Sequence, residues 1–158
     1  GLEKFIKSCK LSGVDGIIIV DLQPEEDPHL LNLLNKTNIK LIRLITPTTN
    51  ENRLKVILKN ASGFLYYVSV TGITGQNSAN IKELERSIKK IKKQTKLPIV
   101  SGFGIKNSKQ VTDVCKICEG AVVGSSIINI IENNLHDNNK AIISIGKFVK
   151  KLKNGIKK

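Results

Sequence analysis

Five apolar, β-branched runs begin near Gly16, Ile39, Gly63, Leu97 and Gly120, and each is followed by a segment of helical periodicity. That alternation restricts the fold more than any other feature of the chain. Strand–helix–strand connections within one sheet are right-handed crossovers, so repeated β-α order demands parallel strands with helices packed on them. Uninterrupted apolar runs, such as Gly-Ile-Ile-Ile-Val-Asp at 16–21, suit strands covered on both faces. The class is therefore α/β. Five units satisfy either an open doubly wound sheet or part of an eight-fold barrel. A closed barrel needs about 250 residues and eight strands, so 158 residues cannot close one alone.

Along the chain, an amphipathic helix is expected over 1–12, with Leu2, Phe5, Ile6 and Cys9 inward and Gly13 ending it. Strands are expected over 16–21, 39–45, 63–69, 97–101 and 120–124. Pro28 suits the first turn of a helix to about residue 35. Thr49 or Asn50, and Asn107 or Ser108, are candidate caps of later helices. A helix is expected over about 79–95, a short one over 125–131 and a last one over 138–153, with Ile142, Ile145, Val149 and Leu152 inward. The reading is one domain over 1–158: helix 1–12, five βα units over 16–153, and a frayed lysine-rich tail at 154–158. The chain has no methionine, even at position 1. Together with a start inside a helix, this fits the downstream piece of a longer protein, a barrel missing its first three units.

A net charge of +13 raises the question of a nucleic-acid partner. Lys82, Lys89, Lys90, Lys92 and Lys93, however, share a helix whose Ile81, Leu84, Ile88 and Ile91 step by helical turns. They read as a solvated face, with no aromatic stacking platform beside them, so no nucleic-acid partner is expected. No apolar run approaches the ~20 residues that span a bilayer, and the first residues are not signal-like. No membrane association is expected, and the chain reads as intracellular. Cys115 and Cys118 make a nominal CxxC, but a structural zinc site needs four ligands, and Cys9, His29 and His136 are scattered. Packing thiols are expected, with no metal.

Three of the strands end in glycine-bearing turns. The stretch 63–75, Gly-Phe-Leu-Tyr-Tyr-Val-Ser-Val-Thr-Gly-Ile-Thr-Gly, enters a loop with Gly72 and Gly75. The run from Leu97 ends at Gly102 and Gly104, and the run from Gly120 ends at Gly124 and Ser125. Glycine turns and helix amino-termini direct backbone amides at an anion. In barrels a phosphate site lies after the seventh and eighth strands, beside a short extra helix, and 125–131 is placed for that helix. Gly75, Gly104, Gly124 and Ser125 are therefore the candidate phosphate ligands.

Four ordered motifs carry a family resemblance across nearly all of the chain. They are Gly-Val-Asp-Gly-Ile-Ile-Ile-Val-Asp-Leu-Gln-Pro-Glu-Glu at 13–26, the stretch 63–75, Pro-Ile-Val-Ser-Gly-Phe-Gly-Ile at 98–105 and Gly-Ala-Val-Val-Gly-Ser-Ser at 120–126. The chain resembles the tryptophan synthase alpha chain. The resemblance implies the last five units of a (β/α)8 TIM barrel. It also implies retro-aldol cleavage of indole-3-glycerol phosphate to indole and glyceraldehyde 3-phosphate without a cofactor, in tryptophan biosynthesis. The indole passes to a pyridoxal-phosphate beta chain, the implied partner.

By the same resemblance Gly75, Gly104, Gly124 and Ser125 contact the substrate phosphate. Tyr66, Phe103, Val122 and Ile18 line the indole and glycerol pocket. Thr74 lies in a closing loop and orients a catalytic carboxylate, and Asp21 lies at the mouth facing the beta chain. Glu25 and Glu26 read as solvated charges at a helix start. Gln23 stands where the family often has proline, and Val70 where many bacterial members have arginine. Both catalytic carboxylates are implied to lie upstream of residue 1, so this chain alone is expected to catalyse nothing. The implied compartment is the cytoplasm, or the plastid stroma for a plastid-encoded chain. Competing readings are another phosphate-binding barrel enzyme and a non-catalytic basic half-barrel that binds partners.

Overall fold

The computed structural model describes residues 1–26, 28–69, 78–102 and 104–156. α1 (Leu2–Leu11) leads into β1 (Gly16–Ile17), a short 3₁₀ turn (Pro24–Glu26) and α2 (Pro28–Leu34). β2 (Lys40–Leu41), β3 (Arg43–Ile45) and α3 (Glu51–Lys59) follow, then β4 (Leu65–Val68) and α4 (Ser78–Lys92). β5 (Ile99–Gly102), α5 (Ser108–Cys115), β6 (Gly120–Val122), α6 (Ser125–Glu132) and α7 (Asn138–Lys153) complete the chain. Asn50 caps α3 by accepting from the Arg53 amide at 2.9 Å, and Asn107 caps α5 by accepting from Gln110 at 3.0 Å. Among the described residues no helix is long and apolar enough to cross a membrane.

All strand pairs are parallel and neighbours in space are neighbours in sequence: β1 pairs β2, and β3-β4-β5-β6 form one sheet. Consecutive order without a reversal is the winding of a barrel; a doubly wound sheet reverses direction at a switch point. Leu65, Tyr67, Ile99 and Ile45 point to one face and pack with Leu54 and Ile57 of α3, Leu84, Ile88 and Ile91 of α4, Val111 and Val114 of α5 and Leu152 of α7. A second cluster joins Ile6 and Cys9 of α1, Ile17, Leu30 and Leu34 of α2, Ile39 and Leu41. The other sheet face carries Tyr66, Val68, Val100, Gly102, Gly120 and Val122, all half-buried. The helices thus cover one face, and the opposite face lines the barrel interior.

Several expected boundaries shift for identifiable reasons. The strand expected at 16–21 pairs only over Gly16–Ile17, because beyond it the chain turns and the Leu22 carbonyl accepts from Arg43 Nη1 at 3.2 Å. The strand expected at 39–45 divides at Ile42. Its first part bonds back to β1, with the Lys40 amide on Asp15 and the Ile42 amide on Ile17, and the Leu41 amide is taken by the Ser62 hydroxyl. Its second part pairs with β4. Phe5, expected inward, is 49% exposed; Ile6 and Cys9 fill the seam between α1 and α2 instead. In α7, Ile142 (67%) and Val149 (45%) are exposed, and the packed stripe is Ala141, Phe148 and Leu152. Both stripes satisfy a helical period, and α7's docking on α5 and α6 chose between them. The tail expected to fray over 154–158 is docked at Gly155, whose carbonyl accepts from the Thr112 hydroxyl at 2.7 Å.

Gly13 ends α1 at φ +72 while the Val14 amide reaches back to the Cys9 carbonyl at 3.0 Å, the Schellman arrangement. Gly63 has φ +78, and a Cβ there would stand 2.9 Å from Ile42 Cδ1 and 3.0 Å from Lys40 Cβ. A Cβ on Gly13 would meet nothing within 4 Å. Gly13→Ala is therefore expected to cost about 1 kcal/mol of backbone strain. Gly63→Ala adds a steric clash, and the expected total is roughly 2–3 kcal/mol. Urea unfolding of the two variants should rank them in that order.

Candidate active site

The interior face is laid out by register. Leu44 pairs with Tyr66, Tyr66 with Val100 and Val100 with Gly120, which forms one layer across four strands. Val68, Gly102 and Val122 form the next layer toward the carboxyl ends. Tyr66 and Val122, both expected in the pocket, thus lie on one face in adjacent layers. Ile18 follows β1 and is 44% exposed, while its neighbours Ile17 and Ile19 pack into the α1–α2 cluster. It therefore faces away from the helices, toward the same interior. Asp21 is exposed in the turn after it, outside the strand expected to carry it. Phe103, Thr74 and Gly75 lie outside the described residues.

Of the anion-binding candidates, Gly104, Gly124 and Ser125 follow the carboxyl ends of β5 and β6. Gly102 pairs with Val122, and Gly104 and Gly124 each follow that paired layer by two residues in the chain. Gly104 holds φ +58, a conformation that costs glycine nothing. Gly124 is the N-cap of α6 and makes no side-chain capping bond. The Ile127 and Ile128 amides both fold back on its carbonyl, at 2.8 and 3.2 Å. The preceding amides, of Ser125 and Ser126, have no carbonyl a turn back to bond, which is the general state of a helix's first N–H groups. Those amides and the dipole of α6 concentrate positive potential beside Gly104. Ser126 donates to the Ile105 carbonyl at 2.6 Å, a tie between the two loops that the sequence did not single out. Gly124 and Ser125 are exposed, and a Cβ on Gly124 would meet nothing within 4 Å. The cradle is open.

Gly102 has a second role. A Cβ there would stand 2.5 Å from the Tyr66 hydroxyl oxygen and 3.2 and 3.3 Å from ring carbons. Glycine at 102 is what lets the Tyr66 ring lie across β5, next to the candidate anion site. Only the alternation of β5, with Gly102 on the interior parity, hints at this in sequence. Behind the site, Ser101 is fully buried and donates to the Tyr67 carbonyl at 3.5 Å. Of the other charges expected to be solvated, Glu26 is exposed and Glu25 is engaged by Arg53. Lys82, Lys89, Lys90, Lys92 and Lys93 are all exposed. Lys92 pairs with Glu119 at 2.6 Å, and Lys89 with Glu85 at 2.6 Å.

The cysteines are free thiols, and among the described residues no group of three potential ligands could hold a metal. Burial, with Glu119 alongside, pushes the Cys118 thiol up to about 12, and burial raises Cys115 as well.

A model of the tryptophan synthase alpha chain family matches residues 1–157. A curated tryptophan synthase alpha chain from Methanocaldococcus jannaschii is 46% identical over 138 residues, 87% of this chain and 49% of that protein. The chain thus spans about half the length of the curated relative it matches. Tryptophan synthase subunit alpha from Legionella pneumophila superposes with TM-score 0.85 at 31% identity, over 99% of this chain and 57% of that one. A chain of the tryptophan synthase α2β2 complex from the hyperthermophile Pyrococcus furiosus superposes with TM-score 0.85 at 30% identity, over 98% and 61%.

Two outcomes are expected from this geometry. Gly102→Ala should destabilise the fold by roughly 1–3 kcal/mol through overpacking. Adding Tyr66→Phe should recover only part of that in a double-mutant cycle, since the ring carbons still crowd the new methyl. Separately, a thiol raised from 9.0 to about 12 carries on the order of a thousandfold less thiolate near neutral pH. Cys118 should react with Ellman's reagent far more slowly in the native protein than after unfolding.

Proposed function

This chain belongs to the tryptophan synthase alpha chain family, and on that premise we propose that the protein it represents cleaves indole-3-glycerol phosphate to indole and glyceraldehyde 3-phosphate. The observation that carries the reading is the uncapped start of α6 at Gly124, tied to the loop after β5 by the Ser126 bond to the Ile105 carbonyl, with Gly104 at positive φ in that loop and the Tyr66–Val122 face on the strands below. A phosphate held by those amides would hang its organic tail over an apolar, half-buried wall. That is the shape of a phosphorylated indole.

In the proposed retro-aldol step the indole C3 is protonated, which makes the ring an electron sink. Loss of the proton from the adjacent side-chain hydroxyl then forms the aldehyde as the bond from C3 to that carbon breaks. Its electron pair flows into the cationic indolenium ring, which leaves neutral indole with the added proton kept at C3. Residues 1–158 supply binding: Gly104, Gly124 and Ser125, with Gly75, hold the phosphate. Tyr66, Val122 and Ile18, with Phe103, bound the organic portion, and Thr74 belongs to the closing loop. The two carboxylates that move protons are proposed to come from the part of the barrel preceding residue 1, so residues 1–158 by themselves do not turn over substrate. The product indole is proposed to pass to a beta chain docked at the mouth near Asp21. The cytoplasm, or the stroma of a plastid, is the proposed compartment. No cofactor is required, because the indole ring itself accepts the electrons.

Calorimetric titration with 3-indolylpropanol phosphate tests this. The full-length protein should bind it saturably, with inorganic phosphate competing. Gly124→Asp, which has open space for its side chain, should leave folding intact and weaken binding at least about tenfold by charge repulsion. Undiminished binding by Gly124→Asp, or no competition from phosphate, would remove the anion from this cradle. Release of indole on turnover separates this activity from that of other phosphate-binding barrels.

A further inference from the structure

Positive charge collects on one side of the candidate anion site. Lys106 follows Ile105, whose carbonyl accepts from Ser126 at the start of α6, so its backbone is one residue from the loop that carries Gly104. Lys109 stands in the first turn of α5. The end of α7 is seated against that same turn. Gly155 is buried, its carbonyl accepts from the Thr112 hydroxyl at 2.7 Å, and a Cβ on it would run into the Ser108 carbonyl. Leu152 is buried in the apolar cluster that also holds Ile105 and Val111. Successive helical residues turn by about 100°, so Lys151 and Lys153 leave the helix on either side of that buried contact. All four lysines are exposed, and among the described residues none of them forms an ion pair. The acidic residue of α5, Asp113, is taken by Lys116 at 3.5 Å. α7 itself has no acidic residue, and Asp137 caps its opposite end. On α4, by contrast, Lys89 and Lys92 are neutralised by Glu85 and Glu119.

We propose that Lys106, Lys109, Lys151 and Lys153 form a cationic approach that draws a phosphorylated substrate toward Gly104 and Gly124, setting how fast it arrives rather than how tightly it is held. The inference rests on the phosphate site proposed above. A phosphate monoester carries about −1.5 to −2 charges near neutral pH. Backbone amides grip it only at contact, whereas unpaired ammonium groups act over a Debye length of about 8 Å at physiological salt. Charges at the rim of a site change the association rate and its salt dependence and leave the bound state largely alone. The close seating of Gly155 on α5 is what brings the basic end of α7 to this rim.

The test uses the full-length protein and stopped-flow binding of 3-indolylpropanol phosphate from low to high salt. One variant combines Lys106→Gln, Lys109→Gln, Lys151→Gln and Lys153→Gln. A second combines Lys36→Gln, Lys59→Gln, Lys93→Gln and Lys96→Gln, exposed lysines near the amino ends of the strands, and loses the same net charge far from the site. The first variant should associate roughly fivefold more slowly at low salt, with an unchanged dissociation rate and a flatter salt dependence. The second should keep most of the original association rate, and uncharged 3-indolylpropanol should bind all three proteins alike. An equal loss in both variants would reduce the effect to net charge and overturn the local approach, as would an unchanged association rate in the first. A change confined to dissociation would make the lysines contacts of the bound phosphate and overturn steering. If the unaltered protein binds inorganic phosphate, read by phosphorus NMR line broadening, but not the indole analogue, the indole reading falls and the same comparison of variants on phosphate still decides the approach. Binding of neither overturns both.

Discussion

The parallel hydrogen-bond register from β3 to β6 decides which side chains can ever meet in this molecule. Because side chains alternate faces along a strand, a slip of one residue would send Tyr66 to the helices and Tyr67 to the interior. The slip is resisted by what lies on the helix side. Ile45, Leu65, Tyr67 and Ile99 interlock there with α3, α4 and α5, and each such buried side chain contributes about 1.5–3 kcal/mol by leaving water. The interior layers are held in line by that outer packing. The candidate pocket inherits its geometry from a core that it does not share.

The carboxyl end of the sheet depends on the same register. β5 and β6 stay level through the Gly102–Val122 pair, so the loops that follow them emerge side by side. Ser126 then ties the start of α6 to the Ile105 carbonyl. Farther down, Glu119 joins the two strands at their other end, accepting from the Ile99 amide at 2.8 Å and from Lys92 at 2.6 Å. The anion cradle proposed at these loop ends would need this precision, because backbone amides cannot reorient as a lysine side chain can.

The strand over 40–45 does the reverse, serving two neighbours in turn. Its first residues bond to β1 and its last to β4, with Ile42 between them. The change of partner leaves the α1–α2 cluster and the larger core as separate apolar groups. It also frees the chain after Ile17 to leave the sheet early, and Arg43 and Arg53 take over from backbone pairing there.

Much of this was legible in the amino-acid order. β-branched runs alternating with amphipathic segments require parallel βα units, because each pattern can bury its apolar side in only one way. Asn50 and Asn107 end up as caps because a short side-chain oxygen before a helix has a nearby amide to bond. The turns after β5 and β6 are local in the same way: Gly104 takes a positive φ, and Gly124 is the N-cap of α6. What the sequence left open was decided between elements. Ile142 and Val149 satisfy the helical period as well as Ala141 and Phe148 do, and only α7's docking on α5 and α6 chose the stripe. Phe5 lost its expected place because α1 meets α2 along Ile6 and Cys9. Tyr66's closeness to Gly102, and the reach of Arg43 and Arg53 to a loop some 20 to 30 residues earlier, depend on strands brought together by folding. Local periodicity carries no record of such distances; only tertiary packing sets them.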